Sequence, residues 1–238
     1  MFNLKSAYFY FLAIIIIINK FIKKIYFSTK FYNSSLKTRI PNQFYFYPNP
    51  FLLSSFVNYK NFSFKISQTN LNSFWETNYS QKENYNLNTF FWLSLIDRKN
   101  NIFIIQKIIS LWIKKNNKYK KENWDNSSIS KRVISWILNA DIILSNTNGE
   151  FRIQFLESII IQINHLKKVI AFENNLLKKI EIISAIILSG LVFKEYKKNF
   201  EMGNRELKKI IDEFFDNDGC PYNRNINDLI KSSKFLVL

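Results

Sequence analysis

Cysteine, histidine and glycine are nearly missing from this sequence of 238 residues. It holds one Cys (Cys220), one His (His165) and four Gly. A single thiol forms no intramolecular disulfide and no thiolate metal cluster. A single imidazole leaves no paired-histidine metal site of the H-E-x-x-H kind. With so few glycines, neither G-x-x-x-x-G-K nor G-x-G-x-x-G occurs, which argues against a phosphate-cradling loop and nucleotide-dependent chemistry. No cofactor is expected. Proline is scarce as well, and Pro41, Pro48 and Pro50 fall close together.

What is present is apolar and basic. Hydrophobic residues make up 47% of the chain and aromatics 17%, enough to bury a sizeable core and to exclude a disordered protein. There are 34 Lys plus Arg against 18 Asp plus Glu, a formal charge of +16 that attracts polyanions such as nucleic acid, anionic lipid or acidic polysaccharide. The wealth of Ile, Asn, Lys, Phe and Tyr is also the bias that an AT-rich coding sequence produces, so charge alone does not choose the partner. No nucleic-acid reading motif is present, and nucleic acid ranks last.

Three stretches follow one another. Residues 1–30 carry an apolar run from Ala7 to Ile18 and then Lys20, Lys23, Lys24 and Lys30. The run is too short for a spanning helix and lacks a small-x-small cleavage site. A signal segment, an interfacial amphipathic anchor on a membrane surface and a buried N-terminal helix all stay open. Residues 31–69 lose periodicity; their prolines argue for an extended segment, with one short strand at Phe62, Phe64 and Ile66. From residue 70 to 238 the apolar pattern is helical: Ile102, Ile105, Ile109, Trp112 and Ile113; Val133, Trp136, Ile137, Ala140, Ile143 and Leu144; Ile180, Ile183, Ile187 and Leu191; Leu207, Ile210, Ile211, Phe214 and Phe215. A further helix is expected from about Glu150 to Val169, with breaks at Asn146–Gly149, Met202–Gly203 and Asp218–Gly219. Short links make neighbouring helices antiparallel, so the expected fold is all-α, of stacked helical hairpins.

Trp124 to Ile137, WDNSSISKRVISWI, puts Arg132 and Trp136 four residues apart on one helix face. A cation beside an aromatic lines many sugar- or acid-binding grooves. The same spacing also fits a plain packing face.

Trp124, Ser130, Arg132 and Ser135-Trp136 resemble the W-x-P-x-x-x-S-x-R-x-x-N-W signature of heparinase II/III-like polysaccharide lyases, in their N-terminal domain. Asn86-Leu87-Asn88-Thr89-Phe90 is similar to that family's N-L-H-Y-F motif, and His165-Leu166 to its H-x-x-L stretch. The Asn174-Asn175 turn, the helix from Ala185 to Phe193 with Gly190, and Asp218-Gly219 with Arg224 follow in the family's order. The resemblance implies an incomplete α/α toroid whose cleft binds an acidic, uronate-containing polysaccharide. It implies β-elimination next to the uronate, with a donor neutralising the carboxylate and a Tyr or His removing the C5 proton. Substrate-binding residues carried over are Asn86, Asn88, Trp124, Arg132, Trp136, Asn174, Asn175 and Arg224.

The sequence departs from the family where chemistry is carried. No histidine follows Asn174 or Asn175, the histidine of N-L-H is Asn88, and the family's Tyr-His pair is Asp228-Leu229. A carboxylate beside a uronate would be repelled; Tyr222, six residues away, reads either as a displaced base or, more simply, as an aromatic at a loop. His165 is read as a packing residue, and no residue is assigned a catalytic role. The family's C-terminal β-sandwich domain is not in this chain, so a separate β-sandwich chain completing the site, or a truncated member, is expected. The alternative is a non-catalytic glycan-binding or membrane-associated protein. The envelope or periplasm is the expected location, with the cytoplasm left open.

Overall fold

The computed structural model describes residues 4–56, 71–95, 97, 101–120 and 122–238. Among these the fold is all-α, with no strand and one isolated bridge between Phe215 and Pro221. The short strand expected at Phe62–Ile66 lies outside the described residues. The helices are α1 (Leu4–Ser28), α2 (Lys30–Ser35), α3 (Gln81–Thr89), α4 (Ile102–Asn116), α5 (Asn126–Leu138), α6 (Ala140–Ile143), α7 (Gly149–Val169), α8 (Leu176–Val192), α9 (Lys197–Phe214) and α10 (Ile226–Leu236).

Their starts are written in side chains that satisfy orphan backbone N–H groups. Ser80 and Glu83 form a reciprocal capping box on α3. Asp125 caps α5, Asn148 caps α7, Asn175 caps α8 and Asn225 caps α10. The Asn146–Gly149 and Asp218–Gly219 breaks are present, with Asn146 and Gly219 at φ of 53° and 75°. Phe90 ends α3 in the left-handed region at φ 58°, a strained place for an aromatic. Its ring, fully buried against Trp92, Trp112 and Trp136, compensates.

Helix α5 lies at the centre, packed on α3, α7 and α8, while α8 also carries α9 and α10. Pairs between α5 and α7 run in opposite order: Arg132 bonds Gln162, and Trp136 meets Phe155. These two helices are therefore antiparallel. So are α8 and α9, because Gly190 faces Phe200 while Gly203 faces Ile187. The Met202–Gly203 break expected from sequence does not occur; α9 runs through it. A Cβ on Gly203 would lie 2.4 Å from Ile187 Cγ1, and one on Gly190 2.3 Å from the Phe200 backbone nitrogen. Both glycines let two helices approach closely, which outweighs the modest cost of glycine within a helix.

Periodic positions mostly face inward, but Leu191 and Ile211 remain at the surface. Part of the segment expected to be extended is helical: α2 and a 3₁₀ turn at Pro50–Phe56. This segment is fastened across α7 and α8. Asn164 donates to the Leu36 carbonyl at 2.8 Å, the Tyr45 N–H donates to the Val192 carbonyl at 2.8 Å, and Phe44 packs on Phe193.

Candidate functional site

Arg132 is fully buried on α5. Its Nε donates to Gln162 Oε1 at 2.6 Å, one terminal nitrogen to the Asn88 carbonyl at 2.8 Å, and the other to the Asn123 carbonyl at 3.2 Å. The guanidinium also lies over the Trp112 ring at 4.1 Å. Burial pulls it down to about 9, with Asp125 opposing, so it stays charged at neutral pH. Of the two readings of the Arg132–Trp136 face, packing is the one observed. Trp136 is fully enclosed among Phe90, Trp112 and Phe155, and its indole N–H has no hydrogen-bond partner. Neither side chain has surface to offer a ligand. Arg132 instead ties the end of α3 to the loop before α5, which are the two segments carrying the strongest motifs.

Trp124 is buried too; its indole donates to the Asn116 carbonyl at 3.3 Å, and its ring meets His165 edge-on. His165 is buried, with Nδ1 2.6 Å from the Tyr32 hydroxyl. Burial, then Arg132 and Lys168, push its pKa down to about 3, so the ring is neutral at physiological pH. Burial, then Tyr26 and Tyr119, raise the Tyr32 phenol well above its ordinary value. The pair is a satisfied polar contact inside an aromatic cluster, in keeping with a packing role.

The accessible chemistry lies along the opposite edge of α5. A pocket of about 550 Å³ opens between α3, the start of α5 and α8, lined by Gln81, Asn84, Tyr85, Asn88, Glu122, Asp125, Ser127, Ser128 and Lys178. A second, of about 330 Å³, is lined by Phe56, Tyr85, Asn86, Thr89, Phe91, Lys131, Glu181, Lys231, Lys234 and Phe235. Tyr85 borders both. Amides and hydroxyls dominate the first; lysines and aromatic faces dominate the second.

Between them sits a compact cluster drawn from three helices. Lys131 Nζ donates to Tyr85 Oη at 2.9 Å and to Ser127 Oγ at 2.9 Å, and it pairs with Glu181 Oε1 at 3.1 Å. An ammonium has three donors, and all three are used. Ser127 Oγ donates in turn to Glu181 Oε2 and lies 3.0 Å from the Tyr85 hydroxyl. Burial works against the Lys131 charge, but Glu181 and Tyr85 outweigh it and its pKa is raised. Glu181 thus holds Lys131, and together with Ser127 they hold the Tyr85 hydroxyl at the junction of the two pockets.

The remaining expected residues divide. Asn88 lines the larger pocket, with its amide donating to Asn84 and its Oδ1 accepting from the Trp112 indole at 2.7 Å. Asn86 lines the smaller one. Asn174 and Asn175 are exposed outside both, yet their turn adjoins the site: Glu173 accepts from Asn126 at 3.3 Å, and Lys178 reaches the larger pocket. Arg224 lies outside both pockets and pairs with Asp216 at 2.7 Å, from a backbone at φ 54°.

Sequence reasoning missed Tyr85, Ser127, Lys131, Glu181, Lys231 and Lys234. Ser127 and Lys131 stand at helical i,i+4 spacing, which was the one available signal. The chain matches no protein-family model, no curated protein and no solved structure.

Proposed function

We propose that this protein binds an acidic, uronate-containing polysaccharide along the Tyr85 edge of α5, on a scaffold of the heparinase II/III-like lyase kind, an incomplete α/α toroid. The observation that carries this reading is the pairing of two pockets across one held tyrosine. One is lined by amide and hydroxyl groups suited to sugar hydroxyls, together with Glu122, Asp125 and Lys178, and the other by lysines suited to carboxylates. The resemblance supports it further, since both pockets draw on the N-L-N-T-F segment and the larger on the start of the Trp124–Ile137 stretch. The two antiparallel pairs, α5 with α7 and α8 with α9, are units from which a toroid is built.

The family reaction would be β-elimination. At the positions matching the family's Tyr-His pair stand Asp228, held by Asn223 Nδ2 at 2.8 Å, and Leu229. The reading is therefore binding without turnover at those positions. The test is calorimetric titration with a polyuronate, together with the ultraviolet absorbance of an unsaturated uronate product. Saturable binding with no absorbance rise is expected, and Tyr85→Ala abolishes the binding without loss of fold. Absence of binding by the unaltered chain contradicts the reading.

A second reading is favoured by α1, and it concerns location. Its Tyr8, Phe9, Phe11, Ile14, Ile17, Phe21, Ile22 and Ile25 are all more than half exposed, spread around the helix. Among the described residues no helix is long and apolar enough to cross a membrane. With a basic stretch following the apolar one, α1 fits the interface of an anionic membrane, as expected of an envelope protein. Cosedimentation with phosphatidylglycerol vesicles tests it: removal of residues 4–28 should leave helicity intact and abolish sedimentation. Unchanged sedimentation refutes the anchor. The acidic polysaccharide, the membrane surface and a separate β-sandwich chain are the partners proposed.

A further inference from the structure

Helix α1 meets the body of the protein through its last turns. Phe27 enters a box of Tyr32, Tyr119 and His165, with ring centroids 4.7, 5.3 and 5.6 Å away. One turn earlier, Lys23 Nζ stands 4.0 Å above the centre of the Phe172 ring. Phe172 closes the 3₁₀ turn Ile170–Phe172 that follows α7. Ile170 is packed inward at 7% exposure, whereas Phe172 leaves 59% of its surface to solvent. The uncovered apolar side chains of α1 and the Phe172 ring are therefore joined through Lys23 into one patch. A helix lying in a bilayer interface sinks its apolar face about 5–10 Å into the headgroup and acyl boundary. With the ring held that close to α1, the same immersion carries Phe172 to the headgroups.

The flank of this patch is cationic. Lys30 is exposed at the start of α2, and Lys168 donates to Ser35 and lies 5.2 Å from the Tyr32 ring centroid. Among the described residues, none of Lys23, Lys30 and Lys168 pairs with a carboxylate. Glu173, beside Phe172 in sequence, is engaged by the Asn126 amide and the Asn175 N–H. Anionic lipid therefore meets an apolar patch and unmatched lysines together. Phe103 offers a contrast. It is 72% exposed at the start of α4 and lines a pocket with Asn148 and Phe151, at the N-terminal end of α7. The 21 residues of α7 put about 31 Å between that end and the Phe172 turn.

We infer that Phe172 is a second membrane contact, seated beside α1 in the headgroup region of an anionic bilayer, so that the C-terminal end of α7 faces lipid and its N-terminal end faces water. This rests on the membrane reading of α1 and deepens it by fixing how the helical body sits on the surface. One weak apolar anchor binds reversibly, and a second signal close to it makes attachment firm. Lys23 serves both contacts: its stem runs along the apolar patch while its ammonium stays at the level of the lipid phosphates.

The test uses the full chain with α1 intact and phosphatidylglycerol vesicles. Phe172→Ser should lower vesicle partitioning by about tenfold, the size of withdrawing most of a phenylalanine from an apolar setting. The loss should persist at high salt, because it is not a charge effect. Circular dichroism should be unchanged, since the side chain is mostly exposed, and Phe103→Ser should leave partitioning as it is. A spin label at Phe172→Cys, in a Cys220→Ser background, should be shielded from a water-soluble relaxant once vesicles are added. The same label at Phe103→Cys should stay open to it. Full partitioning by Phe172→Ser, or a label at 172 as accessible as the one at 103, overturns the second contact and leaves the α1 anchor standing. Equal losses from Phe172→Ser and Phe103→Ser overturn it too. Shielding at 172 without vesicles, in a chain that sediments as a dimer, means that a second copy covers the patch, and the proposal falls. No sedimentation of the unaltered chain removes the anchor reading and this contact with it.

Discussion

Lys131 and Arg132 are neighbours in sequence and opposites in structure. Arg132 points into the protein, is fully buried, and bonds neutral groups: one side-chain amide and two backbone carbonyls. Lys131 points to the other edge, is paired with an acid, and borders a pocket. The inner edge of α5 is scaffold and the outer edge carries the proposed site. The difference follows from chemistry: a planar fork with several donors can satisfy carbonyls in three directions inside a core, whereas a compact ammonium is satisfied by three acceptors converging on one point.

The comparison predicts unequal costs. Arg132→Ala removes three hydrogen bonds and leaves Gln162 and two buried carbonyls unpaired around a cavity; about 3–5 kcal/mol should be lost in urea denaturation. A loss below about 1 kcal/mol would mean the inner edge is not scaffold. Gly190→Ala forces a methyl group onto the Phe200 backbone and pushes α9 off α8, the helix that supplies Glu181. It should cost about 1–3 kcal/mol, whereas Gly149→Ala, with nothing within 4 Å of the added carbon, should cost little.

The inner edge also carries a pH signature. His165 titrates near its ordinary value of 6.5 when unfolded and, held down by burial, at about 3 when folded. Between those values the unfolded chain binds the extra proton, so this contribution to stability is complete above about 6.5 and falls as pH falls toward 3. Roughly 2 kcal/mol should be lost between pH 7 and about pH 5. His165→Asn should flatten that slope in denaturation curves taken across the range, and an unaltered slope would assign acid lability elsewhere. Smallest in stability and sharpest in function, Lys131→Met should cost about 1–2 kcal/mol by leaving a half-buried Glu181 unmatched. It should also weaken polyuronate binding severalfold, because Tyr85 loses its donor. Intact binding in that variant would detach the cluster from the site.

Much of the scaffold was legible. The Asn146–Gly149 break and the apolar period mark most helices from the sequence, while the caps at Asp125, Asn148 and Asn175 went unread. Gly203 misled because glycine signals both a break and a close helix crossing, and only the partner, Ile187, distinguishes them. On α5 the amphipathic rule had no purchase: from Ser127 to Ala140 every residue but Lys131 is buried. A helix enclosed on almost all sides does not reveal from its own sequence which polar residue turns inward. The site was harder still, because Tyr85, Lys131 and Glu181 meet only through the packing of α3, α5 and α8, and no local spacing links them.

Hydrogen exchange with and without a uronate hexasaccharide tests the division of α5 most directly. If its outer edge is the site, ligand should slow exchange in α3, in residues 122–131 and in α10, and leave the loop around Arg224 and helix α1 unchanged. Protection confined to the Arg224 loop or to α1, with α3 and α10 unaffected, would contradict the account.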